Sequence, residues 1–182
     1  MKKNIKIILS VFVLLAGLFV VTGCEKDPTK DFKNPKTIIL KGDKGTLEVT
    51  YDDDGTYEEN NYAAGGGKIL RNSDKNFRFG IEFVNKTIKE MEQTKENLGK
   101  DKTREVIDVE YRKNKGFVAI DQTWGTADVY LYVDEANDVI VNLRVSPNTS
   151  EKMKSAKEAK ELIYGQETVQ QILRTVKYTA NK

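Results

Sequence analysis

"ADVYLYVDEANDVIVNLRV", residues 127–145, decides the fold. Two runs alternate apolar and other residues around a polar centre, Asp134 to Asp138. Val129, Leu131 and Val133 fall on one side of the first run; Val139, Val141, Leu143 and Val145 fall on one side of the second. A period of two with a turn between is the pattern of an antiparallel hairpin with one apolar face. Tyr130 and Tyr132 then point the other way.

The same pattern recurs on both sides. "EVIDVEY" and "GFVAIDQ" flank Lys113 to Gly116 and predict a second hairpin. "NFRFGIEF" sets Phe77, Phe79, Ile81 and Phe83 on one face and predicts a deeply buried strand. Earlier, "TIIL" and "TLEVTY" flank Gly42 to Gly45. Asp52-Asp53-Asp54-Gly55 then predicts a further hairpin into "TYEENNY", because Asp-Gly suits the positive φ of tight turns. "AAGGGK" reads as a flexible connection.

Helices are predicted at three places. Thr87-Ile88-Lys89-Glu90 matches a capping box, with Ile88, Met91 and Leu98 on a thin apolar stripe and Gly99 as a stop. Ser150-Glu151 opens a helix to about Tyr164, which Gly165 breaks. "ETVQQILRTVKYT" carries Val169, Ile172, Leu173 and Val176 at helical spacing and reads as a core-facing helix. Strand-rich segments with helices at the middle and end predict an α+β domain, an antiparallel sheet packed by two or three helices. The order loosely resembles that of the PsbP/Mog1-like fold: early hairpin, central helix, meander, C-terminal helix. That resemblance implies a non-catalytic binding or assembly-assisting module. A cystatin- or NTF2-like curved sheet is the alternative.

The first 23 residues differ from the rest. Lys2, Lys3 and Lys6 precede an apolar run from Ile7 to Val21, broken by Ser10 and Gly17. That length is short of the roughly 20 residues a spanning helix needs and suits a signal-peptide core. Val21-Thr22-Gly23-Cys24 follows, and Cys24 is the chain's one cysteine. The tetrad resembles the lipobox of bacterial lipoproteins. The resemblance implies that a diacylglycerol is attached to the Cys24 sulfur and that the signal is cut just before it. Two acyl chains on one residue make a stable anchor where one is only reversible. Residues 1–23 are thus expected to be a signal peptide, 24–36 a lipid-anchored flexible tether, and 37–182 a single domain. The tether "EKDPTKDFKNPK" is charged and proline-bearing, with a flexible reach of roughly 20 Å. The protein is then held at the extracytoplasmic face of the cell membrane.

Composition narrows the chemistry. The net charge is +2, and removing the three leading lysines leaves 27 bases against 28 acids. Nucleic-acid binding calls for a basic excess on one face, so no nucleic-acid partner is expected. There is no histidine, and the cysteine is assigned to lipid. This removes the usual general base near neutral pH, Ser-His and Cys-His nucleophiles and Cys/His zinc sites. No cofactor and no metal are expected. "YDDDGTY" lacks the alternating acids and the twelfth-position Glu of an EF-hand, Ala63 standing there, and reads as a hairpin tip. A P-loop has Gly, four residues, then Gly-Lys-Ser/Thr; here Tyr62 and Ile69 occupy its first and last places.

Two readings of Trp124, Tyr130 and Tyr132 stay open. They are either a binding surface of exposed aromatics or, for the tyrosines, core covered by a helix. The helices must pack somewhere, which favours the second. The functional expectation is a non-catalytic module binding or assisting an envelope or extracellular protein or ligand. An inhibitor or immunity-type lipoprotein acting on a secreted enzyme is the alternative, and a carboxylate-based hydrolase a minor third.

Overall fold

The computed structural model describes residues 27–62, 66–148, 158 and 160–182. Its strands are β1 (Pro35–Lys41), β2 (Gly45–Asp52), β3 (Tyr57–Asn61), β4 (Lys68–Asn72), β5 (Phe77–Val84), β6 (Arg104–Tyr111), β7 (Asn114–Asp121), β8 (Ala127–Asp134), β9 (Val139–Pro147) and β10 (Lys177–Ala180). The α-helices are α1 (Ile88–Gly99) and α2 (Glu167–Arg174). The protein is therefore α+β, with its strands in two antiparallel sheets. The larger has the order β3-β4-β5-β9-β8-β7-β6, the smaller β1-β2-β10.

The hairpin at 127–145 lies inside the large sheet as expected. Val129 pairs with Leu143 and Leu131 with Val141, and all four are fully buried. Phe77, Phe79 and Ile81 of β5 join the same face, since β5 pairs with β9 along its whole length. The small sheet contributes Ile38, Leu40, Leu47, Val49 and Tyr51, and α2 contributes Val169, Ile172 and Leu173. One core thus lies between the sheets, with α2 closing it. Full burial of each Phe or Leu there is worth about 1.5–3 kcal/mol.

Three expectations are corrected. The Asp-Gly segment does not make a hairpin: β2 and β3 belong to different sheets. The Asp side chains serve neighbours instead. Asp52 accepts the Asn34 N–H at 2.7 Å, Asp53 pairs with Lys36 at 2.5 Å, and Asp54 pairs with Lys75 at 2.9 Å. The crossing chain packs Tyr57 at a tilt against Tyr51 (ring centroids 4.8 Å) and edge-on to Phe77 (6.2 Å), a tertiary contact that a tight turn back along β2 would not make.

The C-terminal helix also stops earlier than its periodicity suggests. α2 ends at Arg174, and the Thr175 hydroxyl accepts the Thr50 N–H at 2.8 Å. This pins the helix end on β2, and the next residues become β10, pairing Lys177 with Glu48 and Tyr178 with Leu47. Val176 is buried beyond the helix rather than on it. In the β6–β7 hairpin the turn is tighter than expected. Tyr111 already pairs with Asn114, so Arg112 and Lys113 make the turn, with Arg112 at φ 57°. Gly116 lies within β7, where a β-carbon would collide with the Tyr130 carbonyl.

The helix expected from Ser150 falls mostly outside the described residues. Its end, Lys160–Tyr164, is a wide turn closed by Gly165 N–H to the Lys160 carbonyl at 2.7 Å. β1 begins at Pro35, two residues before the expected domain start, because Pro35 and Lys36 pair with Asp52 and Tyr51.

Candidate functional site

The large sheet has a second face, opposite the core, and α1 covers only part of it. The capping box forms as expected: the Thr87 hydroxyl accepts the Glu90 N–H and the Glu90 carboxylate accepts the Thr87 N–H at 2.7 Å. The Ile88 N–H is taken by Asp138 at 2.9 Å, which seats the helix start on the β8–β9 turn. Met91 is the one fully buried side chain of α1, set among Phe117, Ala119, Tyr132 and Ile140. Lys95 reaches Asp108 on β6 at 2.5 Å and lies 5.9 Å over the Phe117 ring. The helix therefore sits over the β6–β7–β8 side and the start of β9, and leaves Arg144 of β9 and Glu82 of β5 exposed beyond it.

The registers place the outer side chains in rows. Asp128, Arg144, Gly80 and Ile69 stand side by side across β8, β9, β5 and β4. The next row is Phe117, Tyr130, Asn142 and Glu82. Asp128 is 6% exposed and Asn142 3%, so two polar side chains are buried beside each other. The Arg144 Nε donates to Asp128 Oδ1 at 2.6 Å, and the Asn142 amide lies 3.5 Å from the same oxygen. The Arg144 side chain stays half exposed. Asp128 beside it raises the guanidinium's pKa further above its ordinary value. The Tyr62 hydroxyl borders the row at Gly80, where a β-carbon would sit 2.8 Å from it.

A hollow of about 270 Å³ opens where this face meets α1. Glu82, Tyr130, Asn142 and Arg144 form its polar side, Val84 and Met91 its apolar side, and Lys86 and Thr94 its rim. Lys86 Nζ donates to the Thr94 hydroxyl at 3.0 Å.

The three aromatics singled out from sequence do not act as one set. Tyr132 is buried under α1, and its hydroxyl donates to Glu92 at 2.5 Å. Burial, with Glu92 as its acceptor, raises its pKa strongly. Tyr130 is half buried, packed on Phe117 at 4.9 Å, and borders the hollow. Burial, then the Asp128 charge, pushes its phenol up to about 12, so it is a proton donor at neutral pH. Trp124 is 44% exposed in the β7–β8 turn, where Asp121 accepts its backbone N–H at 3.1 Å. Cys24 lies outside the described residues.

Sequence reasoning passed over Asp128, Asn142, Arg144 and Glu82. A signal was present: once Val129 is paired with Leu143, Asp128 falls opposite Arg144 on the other face. The depth of Asp128 was not readable, because it depends on the Asn142 and Arg144 side chains that β9 lays beside it. Among the described residues no group of Asp or Glu is placed to hold a metal ion, and no helix is long and apolar enough to cross a membrane. Comparison with known protein families, with curated proteins and with solved structures finds no match.

Proposed function

We propose that the chain is a lipoprotein anchored through Cys24 at the extracytoplasmic face of the cell membrane. Its domain is a non-catalytic binding module that works through the part of its large sheet's outer face that α1 leaves uncovered. The observation that carries the anchor is the order of three features: the basic start, the fifteen-residue apolar run and Val21-Thr22-Gly23-Cys24. The observation that favours a binding face is the buried Asp128 holding a half-exposed Arg144 beside the hollow. Side chains held this way recognise a ligand without reorganising. The PsbP/Mog1-like assignment is proposed on element order alone: the hairpin β1–β2, the central α1, the β6–β9 meander, then α2.

Intact-mass spectrometry of the protein extracted from membranes tests the anchor. A mature chain beginning at Cys24 and heavier by a diacylglycerol is expected, and Cys24→Ala should abolish both the cut and the added mass. A chain beginning elsewhere, or an unmodified sulfur, overturns the anchor.

A further inference from the structure

We propose that the hollow beside α1 binds a small zwitterion, a dipeptide, whose carboxylate is held by Arg144 and whose ammonium is held by Glu82. This deepens the binding-module reading and rests on that sheet face being the working surface. It does not depend on the lipid.

Burying Asp128 carries a cost. A carboxylate taken out of water loses hydration unless it is paired, and Asp128 is buried while the Arg144 that pairs it stays half exposed. The opposite face of the same strands shows that apolar residues pack well there: Val129, Leu131, Val141 and Leu143 are fully buried. The pair is thus explained better by what it positions than by what it stabilises. Asp128 takes the Nε of Arg144, and the arginine side chain stays half exposed. A guanidinium held through Nε keeps its other N–H groups for the two oxygens of a carboxylate.

The surroundings fit the rest of the ligand. The Tyr130 phenol, protonated at neutral pH, adds a donor beside Arg144. Glu82 is diagonal to Arg144, two residues along and one strand over. Diagonal neighbours are roughly 7–8 Å apart at Cα, a span that side chains close around a dipeptide's two charges. Val84 and Met91 supply an apolar wall for aliphatic side chains. The volume, about 270 Å³, lies just under the range of drug-sized sites, roughly 300–1,000 Å³, and suits a smaller molecule.

The test titrates the full-chain protein in detergent micelles by calorimetry. The probes are alanyl-alanine, its C-terminal amide, its N-acetyl derivative and inorganic phosphate. Alanyl-alanine should bind saturably, and the amide and the acetyl derivative should each bind about tenfold more weakly or worse, the loss expected for one charge-assisted contact. Phosphate should also bind more weakly than the dipeptide. Glu82 is exposed, so Glu82→Gln should leave the fold intact. It should weaken alanyl-alanine about tenfold and leave the acetyl derivative unchanged. Arg144→Lys should cost about tenfold for every carboxylate probe, because an ammonium lacks the fork. The probe series decides the matter even if that variant fails to fold. No saturable binding, equal affinity for acid and amide, or phosphate binding as tightly as the dipeptide overturns the proposal. A normal lipid mass with no binding rejects the site while leaving the anchor, and the reverse result does the opposite.

Discussion

The two faces of the seven-stranded sheet are built from the same strands and could hardly differ more. The inner face is mostly Val, Leu, Ile and Phe, with Asn72 and Asn114 buried among them, and is sealed by the small sheet and α2. The outer face has a small apolar patch under α1 and then a polar part in which the buried Asp128 pairs with the half-exposed Arg144. The alternation of strands makes this contrast possible, since each strand offers its two faces to separate selection. The inner face carries the stability. The outer face is released from that duty and is free to hold side chains for other work.

The contrast can be broken most severely from inside. Phe79→Ala removes a fully buried ring packed edge-on against Phe77 at 6.0 Å. A loss of about 3–5 kcal/mol is expected, read from urea unfolding. A loss below about 1 kcal/mol would mean that the inner face is not the main core. On the outer face the largest effect should come from Met91→Ala. It empties the one fully buried position of α1 and should cost about 2 kcal/mol, the low end of such truncations, because the surrounding cluster is small. Faster amide exchange should be confined to α1 and its contacts.

Thr87→Ala should cost about 1 kcal/mol, because it unmakes the capping box without touching the core. Its effect should fall on α1 alone, and equal destabilisation of β1–β2 would contradict the division between the faces. The smallest effect concerns the sheet-to-sheet crossing. The Thr56 hydroxyl, then Lys75, hold the Asp54 carboxyl down at about 2, below its ordinary 3.8. A depressed carboxyl adds stability that is fully present above about pH 4 and is lost as pH falls toward 2. Asp54→Asn should therefore flatten the pH dependence of stability in that window. The change should not exceed about 0.5 kcal/mol, because the side chain is exposed enough for solvent to screen it.

The legible parts of this fold were those in which a local rule and the tertiary environment agree. The β8–β9 hairpin, the inner stripe of β5 and the Thr87 capping box all follow from spacing alone. The misread parts were those in which a distant contact outweighed a local preference. Asp53-Asp54-Gly55 looks like a hairpin turn, but the chain runs on to the other sheet, where Tyr57 packs against Tyr51 and Phe77. "RTVKYT" continues a helical period, but the edge of β2 offers unpaired backbone groups that β10 satisfies. For the candidate site, Tyr130 and Tyr132 were placed correctly away from the inner face. Their separate fates, rim and core, depend on how far α1 reaches.

By itself the sequence determined the strand faces, the first helix cap, the lack of histidine chemistry and the tetrad ending in Cys24 as an expected lipid site. Each rests on residues within a few positions of one another, where period and side-chain type suffice. Only the tertiary structure decided that the strands divide into two sheets and that Asp128 is buried under Arg144. The same holds for the exposure of Arg144 and Glu82 beyond α1. Those outcomes depend on contacts between residues far apart in the chain, whose free energies outweigh any local propensity once the core closes.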